Sequence, residues 1–373
     1  QLSFYMDYNV NESFLDTAYG IENILRHGRA LGYKDPGKAS TYGVLAFFIE
    51  VPADSSGLGP DRKYIPLLGK GSRFSSAGGM TYLLTENVDF NNPRNPIVVS
   101  KVTDATGAPT HYAVKAYGRV VSGMLGTTTI GAGPFQKYKT IRLPISNLAE
   151  IISVYDSDGK QYYEVEHMAQ DVIYKEIANK SYKSDNVPSI MKPFIVSRKF
   201  VLVRDGGSNF LQFGSGDAAS SDVIASPGEL SMDIFGKDYI TDLTFDPTRL
   251  SKNTVYGIVP TNTNLKVTYR AENRTNSSAA VATIKTVEDA YFSFANVGAL
   301  ASATLQTVQS SLECTNESPI TGDSSYVSPG ELKSRIMSTF PTQDRAVTQG
   351  DYQNLVYRMP GKVLETIKPM PRF

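Results

Sequence analysis

Apolar and polar positions alternate with a helical period near the end of the chain and predict two short helices there. In the first, Leu332, Ile336 and Phe340 recur every fourth residue and form one narrow apolar face. Ser328 is a favourable N-cap, and Glu331 follows it at the spacing of a capping box. One proline at the first helical position and another directly after Phe340 predict where this helix begins and ends.

The second predicted helix follows after a short loop. Thr348 is a suitable N-cap, and Asp351 lies in the first turn, where the positive end of the helix dipole favours a carboxylate. Pro360 and Gly361 predict its end. The residues predicted to form its buried stripe are Tyr352, Leu355, Val356 and Met359.

An earlier helical pattern predicts a single helix from about Glu12 to Leu31. Gly32 suits the position just after the C-cap, where a left-handed backbone is common. Gly20 and Gly28 lie inside the pattern, and each costs about 1 kcal/mol relative to alanine. We therefore expect either that another segment approaches this backbone closely or that the helix is stable only when it is packed.

The rest of the chain has the pattern of a β-rich protein. Residues Gly43–Val51 are too apolar for a half-exposed strand and predict a buried one. Ile151–Tyr155 and Tyr162–Val165 predict a hairpin across a tight turn at Asp158-Gly159. The predicted fold class is α+β and multidomain, with a β-rich middle, an N-terminal helix and a C-terminal pair of short helices.

At a length of 373 residues the chain is expected to form several domains. We predict an N-terminal helix with a β domain at 1–108, a β-rich middle domain at 109–285, and a C-terminal α/β domain at 286–373. The segment from Lys362 onward has the pattern of a strand that begins just as the sequence stops. The last domain is therefore expected to be truncated.

The composition of the chain argues against nucleic acid and membranes as binding partners. The chain has 37 basic and 37 acidic residues, so it carries no net charge that would attract nucleic acid or an anionic membrane. Cys314 is the only cysteine, which fits assembly in a reducing cytoplasm. No apolar run approaches the ~20 residues that span a bilayer. We expect no nucleic-acid or membrane partner.

Candidate catalytic and ligand-binding residues do not form a recognisable site. The histidines, His27, His111 and His167, are far apart in sequence and lack a metal-binding spacing. Lys70 is followed by Gly71, so the glycine-rich segment around it lacks the phosphate-loop pattern. Glu164 and Glu166 share one face of a strand, but nothing else in the sequence indicates a glycosidase pair. We therefore predict no enzyme activity, metal, cofactor or small-molecule substrate.

Polar residues of the two C-terminal helices are candidates for an interface or for organising the domain. These residues are Glu331, Arg335, Arg345, Asp351, Tyr352 and Arg358. The alternative is that Arg335 and Arg345 are solvated, or pair with Asp344 and Asp351. The chain also has 22 tyrosines, 17 phenylalanines and no tryptophan, a usage that favours protein contacts over a carbohydrate platform.

Several sequence blocks resemble the baseplate-J-like family of wedge proteins from contractile phage tails and related injection machines. The most specific block is Arg345-Ala-Val-Thr348 followed by Asp351-Tyr352. Other matching blocks are Asn316-Glu-Ser-Pro319 with Gly322-Asp, Glu331 with Arg335, Pro360-Gly361 with Val363, Phe14 to Tyr33, Ile65 to Val88, Leu211 to Gly216 and Leu265 to Arg270. The departures are Ser215, where the family usually has aspartate, and a poorly matched stretch from Asp217 to Thr254. Within the family, the inner-ring wedge subunit of large contractile-tailed bacteriophages is the most similar type.

The resemblance implies a virion structural protein of the tail baseplate, made and assembled in the host cytoplasm. It implies a subunit that dimerises, forms a higher ring that links the wedges around the hub, binds other baseplate wedge proteins and rearranges when the tail is triggered. An alternative is a peripheral β-rich tail protein that binds or degrades host surface polysaccharide. A weaker alternative is a stand-alone enzyme of unknown class.

Overall fold

The computed structural model describes residues 2–35, 37, 40–56, 58–179, 189–205, 207–217, 256–272, 277–322, 327–342 and 345–358. The fold is α+β and multidomain, as predicted, with helices near both ends and strands in the middle. The helices are α1 (Leu2–Glu12), α2 (Ile21–Ala30), α3 (Ser302–Ser310), α4 (Pro329–Thr342) and α5 (Gln349–Arg358).

The strands begin with a set that covers the first part of the chain: β1 (Tyr42–Pro52), β2 (Leu67–Leu68), β3 (Arg73–Ser76), β4 (Thr81–Leu84), β5 (Val88–Asp89), β6 (Ile97–Val102), β7 (Pro109–Ser122) and β8 (Met124–Gly131). The following set is β9 (Thr140–Leu143), β10 (Leu148–Tyr155), β11 (Gln161–Glu164), β12 (Val172–Ala178), β13 (Ser189–Ile195), β14 (Lys199–Asp205) and β15 (Ser208–Phe213). The last set is β16 (Asn264–Ala271), β17 (Ile284–Asp289), β18 (Phe292–Ser293) and β19 (Glu313–Thr315).

Two compact units are formed from alternating parts of the chain. Unit 1 contains the described residues within 1–37, 125–270 and 327–373, and unit 2 contains those within 38–124 and 271–326. This division differs from the three consecutive segments predicted from the sequence. The physical reason is strand pairing across the expected boundary at residue 108, because β7 pairs antiparallel with β1 along eleven positions.

Unit 2 is built around a seven-stranded sheet. Its strands follow the order β17-β3-β4-β7-β1-β19, and β6 also pairs with β7. A smaller sheet contains β18, β2 and β5. Leu45, Phe47, Ile49 and Val51 of β1 are buried in the core of this unit, which confirms the buried strand predicted there.

Unit 1 contains a second seven-stranded sheet, in the order β8-β16-β10-β11-β14-β15-β9. The predicted hairpin is confirmed, because Val154 of β10 pairs with Tyr162 of β11 and Gly159 adopts a φ of 78° in the turn. Within this sheet the Arg270 Nε donates to Glu150 Oε1 over 2.8 Å, and both side chains are fully buried.

The expectation of one helix from Glu12 to Leu31 is wrong, because only α2 (Ile21–Ala30) lies within that range, residues 13–20 are not helical, and α1 ends at Glu12. The cause is the Glu12 carboxylate, which accepts hydrogen bonds from the backbone N–H groups of Tyr19 (2.7 Å) and Gly20 (3.2 Å) and from Asn23 Nδ2 (2.8 Å). Gly20 is the N-cap of α2 and makes no side-chain cap hydrogen bond, and Glu12 instead binds the backbone immediately before the helix. Gly32 follows the C-cap with a φ of 84°, as predicted.

Asn316 fixes the start of β17 in unit 2. Its buried Oδ1 accepts from the N–H groups of Thr283 (3.0 Å) and Ile284 (3.1 Å), and its Nδ2 donates to the carbonyls of Ala280 (2.7 Å) and Ser318 (3.1 Å). The amide therefore uses both its donors and both its acceptor positions within the protein. Asn316 is the first residue of one of the blocks that resemble the baseplate family. Its role in this fold is structural, because its amide is fully used in hydrogen bonds within unit 2.

We expect Asn316→Ala to lower the free energy of unfolding by about 3 kcal/mol or more, because several backbone groups lose their partners in the interior. Urea denaturation of the full chain measures this change. Asn92→Ala is the matched control: Asn92 is exposed and accepts from Arg94 N in a turn, so its loss should cost less than about 1 kcal/mol. Equal losses in the two variants would contradict the assigned role of Asn316.

Candidate assembly interface

Helix α4 begins as the sequence predicts. The N–H of Glu331 donates to Ser328 Oγ over 3.3 Å, which confirms the cap. The Glu331 carboxylate accepts from Arg335 Nη2, one helical turn further along. Two of the candidate interface residues are therefore paired with each other on α4.

Helix α5 begins at a reciprocal cap. Thr348 Oγ1 accepts from the N–H of Asp351 (3.3 Å), and Asp351 Oδ2 accepts from the N–H groups of Thr348 (2.8 Å) and Val347 (3.1 Å). These hydrogen bonds lower the pKa of Asp351 from its ordinary value, and the one from the Thr348 backbone N–H has the largest effect. Asp351 thus stabilises the start of its own helix.

The remaining candidate residues are not brought together into one site by the described contacts. The backbone N–H of Arg345 donates to the Thr342 carbonyl over 2.8 Å, in the loop between α4 and α5. Tyr352 lies on α5 with an exposed ring. Arg358 is the last residue of α5, and its side chain lies outside the described residues, as does Asp344.

The predicted apolar stripes on α4 and α5 are only partly buried. Leu332 and Ile336 are buried, but Phe340, Tyr352 and Val356 are exposed. On α4 the buried face includes Thr339 and not Phe340. Phe340 lies eight residues after Leu332, so its side chain points about 80° away from that of Leu332 around the helix axis. The helix also continues to Thr342, so Pro341 lies in its last turn and does not stop it.

Helices α2 and α4 pack closely in unit 1. A Cβ added at Gly28 would lie 2.7 Å from Ile336 Cδ1, closer than a real contact allows. This is the close approach that the glycine predicted. The buried cluster at this contact contains Ala18, Ile24, Tyr33, Leu332 and Ile336, and Lys333 Nζ donates to the Asp16 carbonyl over 2.7 Å beside it.

Helix α1 carries an exposed apolar surface that the sequence analysis missed. All of its residues, Leu2–Glu12, are described and none is buried. Its large exposed side chains are Leu2, Phe4, Tyr5, Met6, Tyr8 and Val10. Their spacing has no helical period, so periodicity alone could not reveal the helix; the density of apolar residues was the available signal. A cluster of this kind is typical of a protein-association surface.

Side chains with reactive potential are used in the fold. His27 Nε2 lies 2.9 Å from the backbone oxygen of Glu12. Cys314 is buried, and burial raises the pKa of its thiol to about 12, so it is unreactive at neutral pH.

In the part of the chain that the structure describes, no group of three or more His, Cys, Asp or Glu could hold a metal ion. No helix among the described residues is long and apolar enough to cross a membrane.

We expect Gly28→Leu to lower the free energy of unfolding by about 1–3 kcal/mol, because the new side chain would overlap Ile336. Ile336→Ala alone should cost about 2–5 kcal/mol. The double variant should lose less than the sum, since leucine can fill the space that alanine leaves. Gly330→Ala on α4 is the control, because an added Cβ there has nothing within 4 Å. Additive losses in urea denaturation would contradict the contact.

The Asp351 cap predicts a pH dependence at the start of α5. Because the folded-state pKa is lowered, the cap contributes stability above the unfolded-state pKa and loses it as the pH falls through the folded-state value. Hydrogen-exchange protection of the Val347 and Thr348 amides should therefore fall on acidification. In Asp351→Asn this step should be absent. The same pH profile in both proteins would show that another group causes it.

Comparison with protein-family models and with curated proteins gives no match. The likeness to the baseplate-J-like family therefore depends on the sequence blocks given above. The hydrogen bonds of Thr348 and Asn316 show what two residues of those blocks do in this fold. Membership of the family stays a prediction.

Proposed function

We propose that this chain is a structural subunit of a phage contractile-tail baseplate wedge. In this role it associates with itself into a ring that links the wedges around the hub, binds other wedge proteins, and rearranges when the tail is triggered. It would be made in the host cytoplasm and would act in the virion. The sequence blocks described above support the family, and one structural observation above all supports self-association.

That observation is the exposed apolar helix α1. Six large apolar side chains on eleven residues remain in water although the helix is formed. Burying apolar area contributes roughly 25 cal/mol per Å². A partner that covered even part of this helix would therefore gain several kcal/mol in gross terms, before the cost of association.

The hydrogen bonds between the end of α1 and the start of α2 support the idea that α1 is already ordered before it binds a partner. The Glu12 carboxylate joins the end of α1 to the start of α2 through Tyr19, Gly20 and Asn23. The hydrogen bond from the Asn23 side chain, followed by that from the Tyr19 backbone, lowers the pKa of Glu12 and so favours the charged form that makes these contacts. An ordered helix loses less conformational entropy on binding than a disordered segment.

The packing of α2 against α4 supports movement as a rigid body. Gly28 and Ile336 are in such close contact that the two helices cannot slide without loss of packing. Rearrangement of a ring built from such subunits would take place at the surfaces between them, where two discrete arrangements can alternate.

The double substitution Phe4→Ser with Met6→Ser tests the proposal. We expect the purified chain to associate as its concentration rises, and the variant to need at least about tenfold more protein for the same association. The melting temperature should be unchanged, because no residue of α1 is buried. Leu58→Ser in unit 2 is the control, since Leu58 is even more exposed than Phe4 and Met6 but lies in a loop. Sedimentation velocity measures all three proteins.

Cross-linking mass spectrometry on assembled tail particles extends the test. Links from Lys333 to a second copy and to other baseplate proteins are expected. A chain that is monomeric at every concentration, and that oligosaccharides stabilise against heat, would instead favour the peripheral polysaccharide-binding alternative.

A further inference from the structure

The helical part of unit 1, formed by α1, α2, α4 and α5, has an apolar core of its own. Its buried cluster contains Ala18, Ile24, Tyr33, Leu332 and Ile336, with Leu15, Leu25 and Val327 packed against it. The buried clusters among the strands of unit 1 consist of other residues, all from the strands and their loops. In the described part of unit 1, therefore, no buried apolar cluster spans the contact between the helical part and the sheet.

The chain does not run directly from the helical part to the sheet of unit 1. It passes into unit 2 after residue 37 and leaves unit 2 again before residue 327. The strands of unit 1 come from the segment that lies between the two parts of unit 2. The helical part and this sheet are therefore held to each other by non-covalent contacts.

Ion pairs join the helical part to the turn after β14. Arg29 Nη2 donates to the Arg204 carbonyl over 2.7 Å and to Asp205 Oδ1 over 3.2 Å. Arg26 Nε lies 3.8 Å from the same Asp205 oxygen. The side chains of Arg26, Arg29 and Asp205 are between 41% and 59% exposed. Ion pairs this open to water are weak and are screened by salt.

A second set of contacts uses backbone carbonyls as acceptors. Arg204 Nη1 donates to the Asp35 carbonyl after α2 over 3.0 Å, and its Nη2 donates to the Ala149 carbonyl in β10 over 3.3 Å. Lys34 Nζ donates to the Glu166 carbonyl after β11. Water can replace each of these partners, and separation would open no buried apolar cluster. It would therefore cost little of the hydrophobic energy that stabilises each side.

We propose that this contact is a releasable joint, at which the helical part of unit 1 separates from the sheet as one body while its chain connections to unit 2 are kept. The close contact between Gly28 and Ile336 keeps α2 and α4 together on one side of the joint. Asp205 is the central residue of the joint, because it faces two arginines of α2. The joint goes beyond the proposed function, since it allows movement within one chain and needs no second subunit.

Distances between paired spin labels test the joint in the full chain. One pair spans it, with Glu22→Cys on α2 and Lys266→Cys on β16. The other pair, Glu22→Cys and Ser334→Cys, lies within the helical part. All of these positions are exposed, whereas Cys314 is buried and stays unlabelled. An excess of unlabelled chain leaves only the distances within one chain, so the result does not depend on self-association.

We expect Asp205→Lys to shift the distance distribution across the joint, because it places a third positive charge beside Arg26 and Arg29. Adding Arg29→Glu should restore part of the wild-type distribution, which would not happen in a misfolded chain. Asp158→Lys is the matched control, because Asp158 pairs with Lys160 inside the β10–β11 turn. In the wild-type chain, raising the salt from about 0.1 M to about 1 M should shift the distribution in the same direction as Asp205→Lys.

Three outcomes would overturn the joint. The first is a distribution across it that stays the same in Asp205→Lys and at both salt concentrations. The second is a changed distance within the helical part, because its helices would then not move as one body. The third is an equal shift in Asp158→Lys, because the effect would then come from added charge anywhere on the sheet. None of these outcomes bears on self-association, which the α1 variant tests separately.

Discussion

The packing of α2 against α4 is the contact on which the arrangement of unit 1 depends. Gly28 leaves no side chain at the crossing, so Ile336 fills the space and a segment near the start of the chain is fixed to one near its end. The apolar face of α2 is used in this contact, and the hydrogen bonds of Glu12 join the end of α1 to the start of α2. The apolar side chains of α1 take no part in this packing and are exposed.

Buried polar groups join strands and loops within each unit. In unit 1 the Arg270–Glu150 pair is fully buried, and in unit 2 the Asn316 amide satisfies four groups around the start of β17. A buried ion pair adds little net stability compared with an apolar pair, but removing one partner is costly. We infer that such groups select one strand arrangement over others of similar apolar content.

Local features were predictable from the sequence, whereas features that depend on distant residues were not. The caps at Ser328 and Thr348, the turn at Gly159 and the glycine after α2 each involve residues within a few positions of one another. The break before α2 involves a hydrogen bond from the Gly20 N–H to the Glu12 carboxylate, eight residues earlier. The division of the chain into two interleaved units involves the pairing of β1 with β7. The fold class followed from local pattern, but the domain boundaries did not.

The same distinction bears on function. Residues of the blocks that resemble the baseplate family, such as Asn316, Thr348 and Asp351, are used here as clamps and caps, so those blocks record how the chain folds. The exposed apolar side chains of α1 lie outside those blocks and contribute nothing to the interior of unit 1. The proposed assembly would give them a role, because a partner that covered them would remove their apolar area from water.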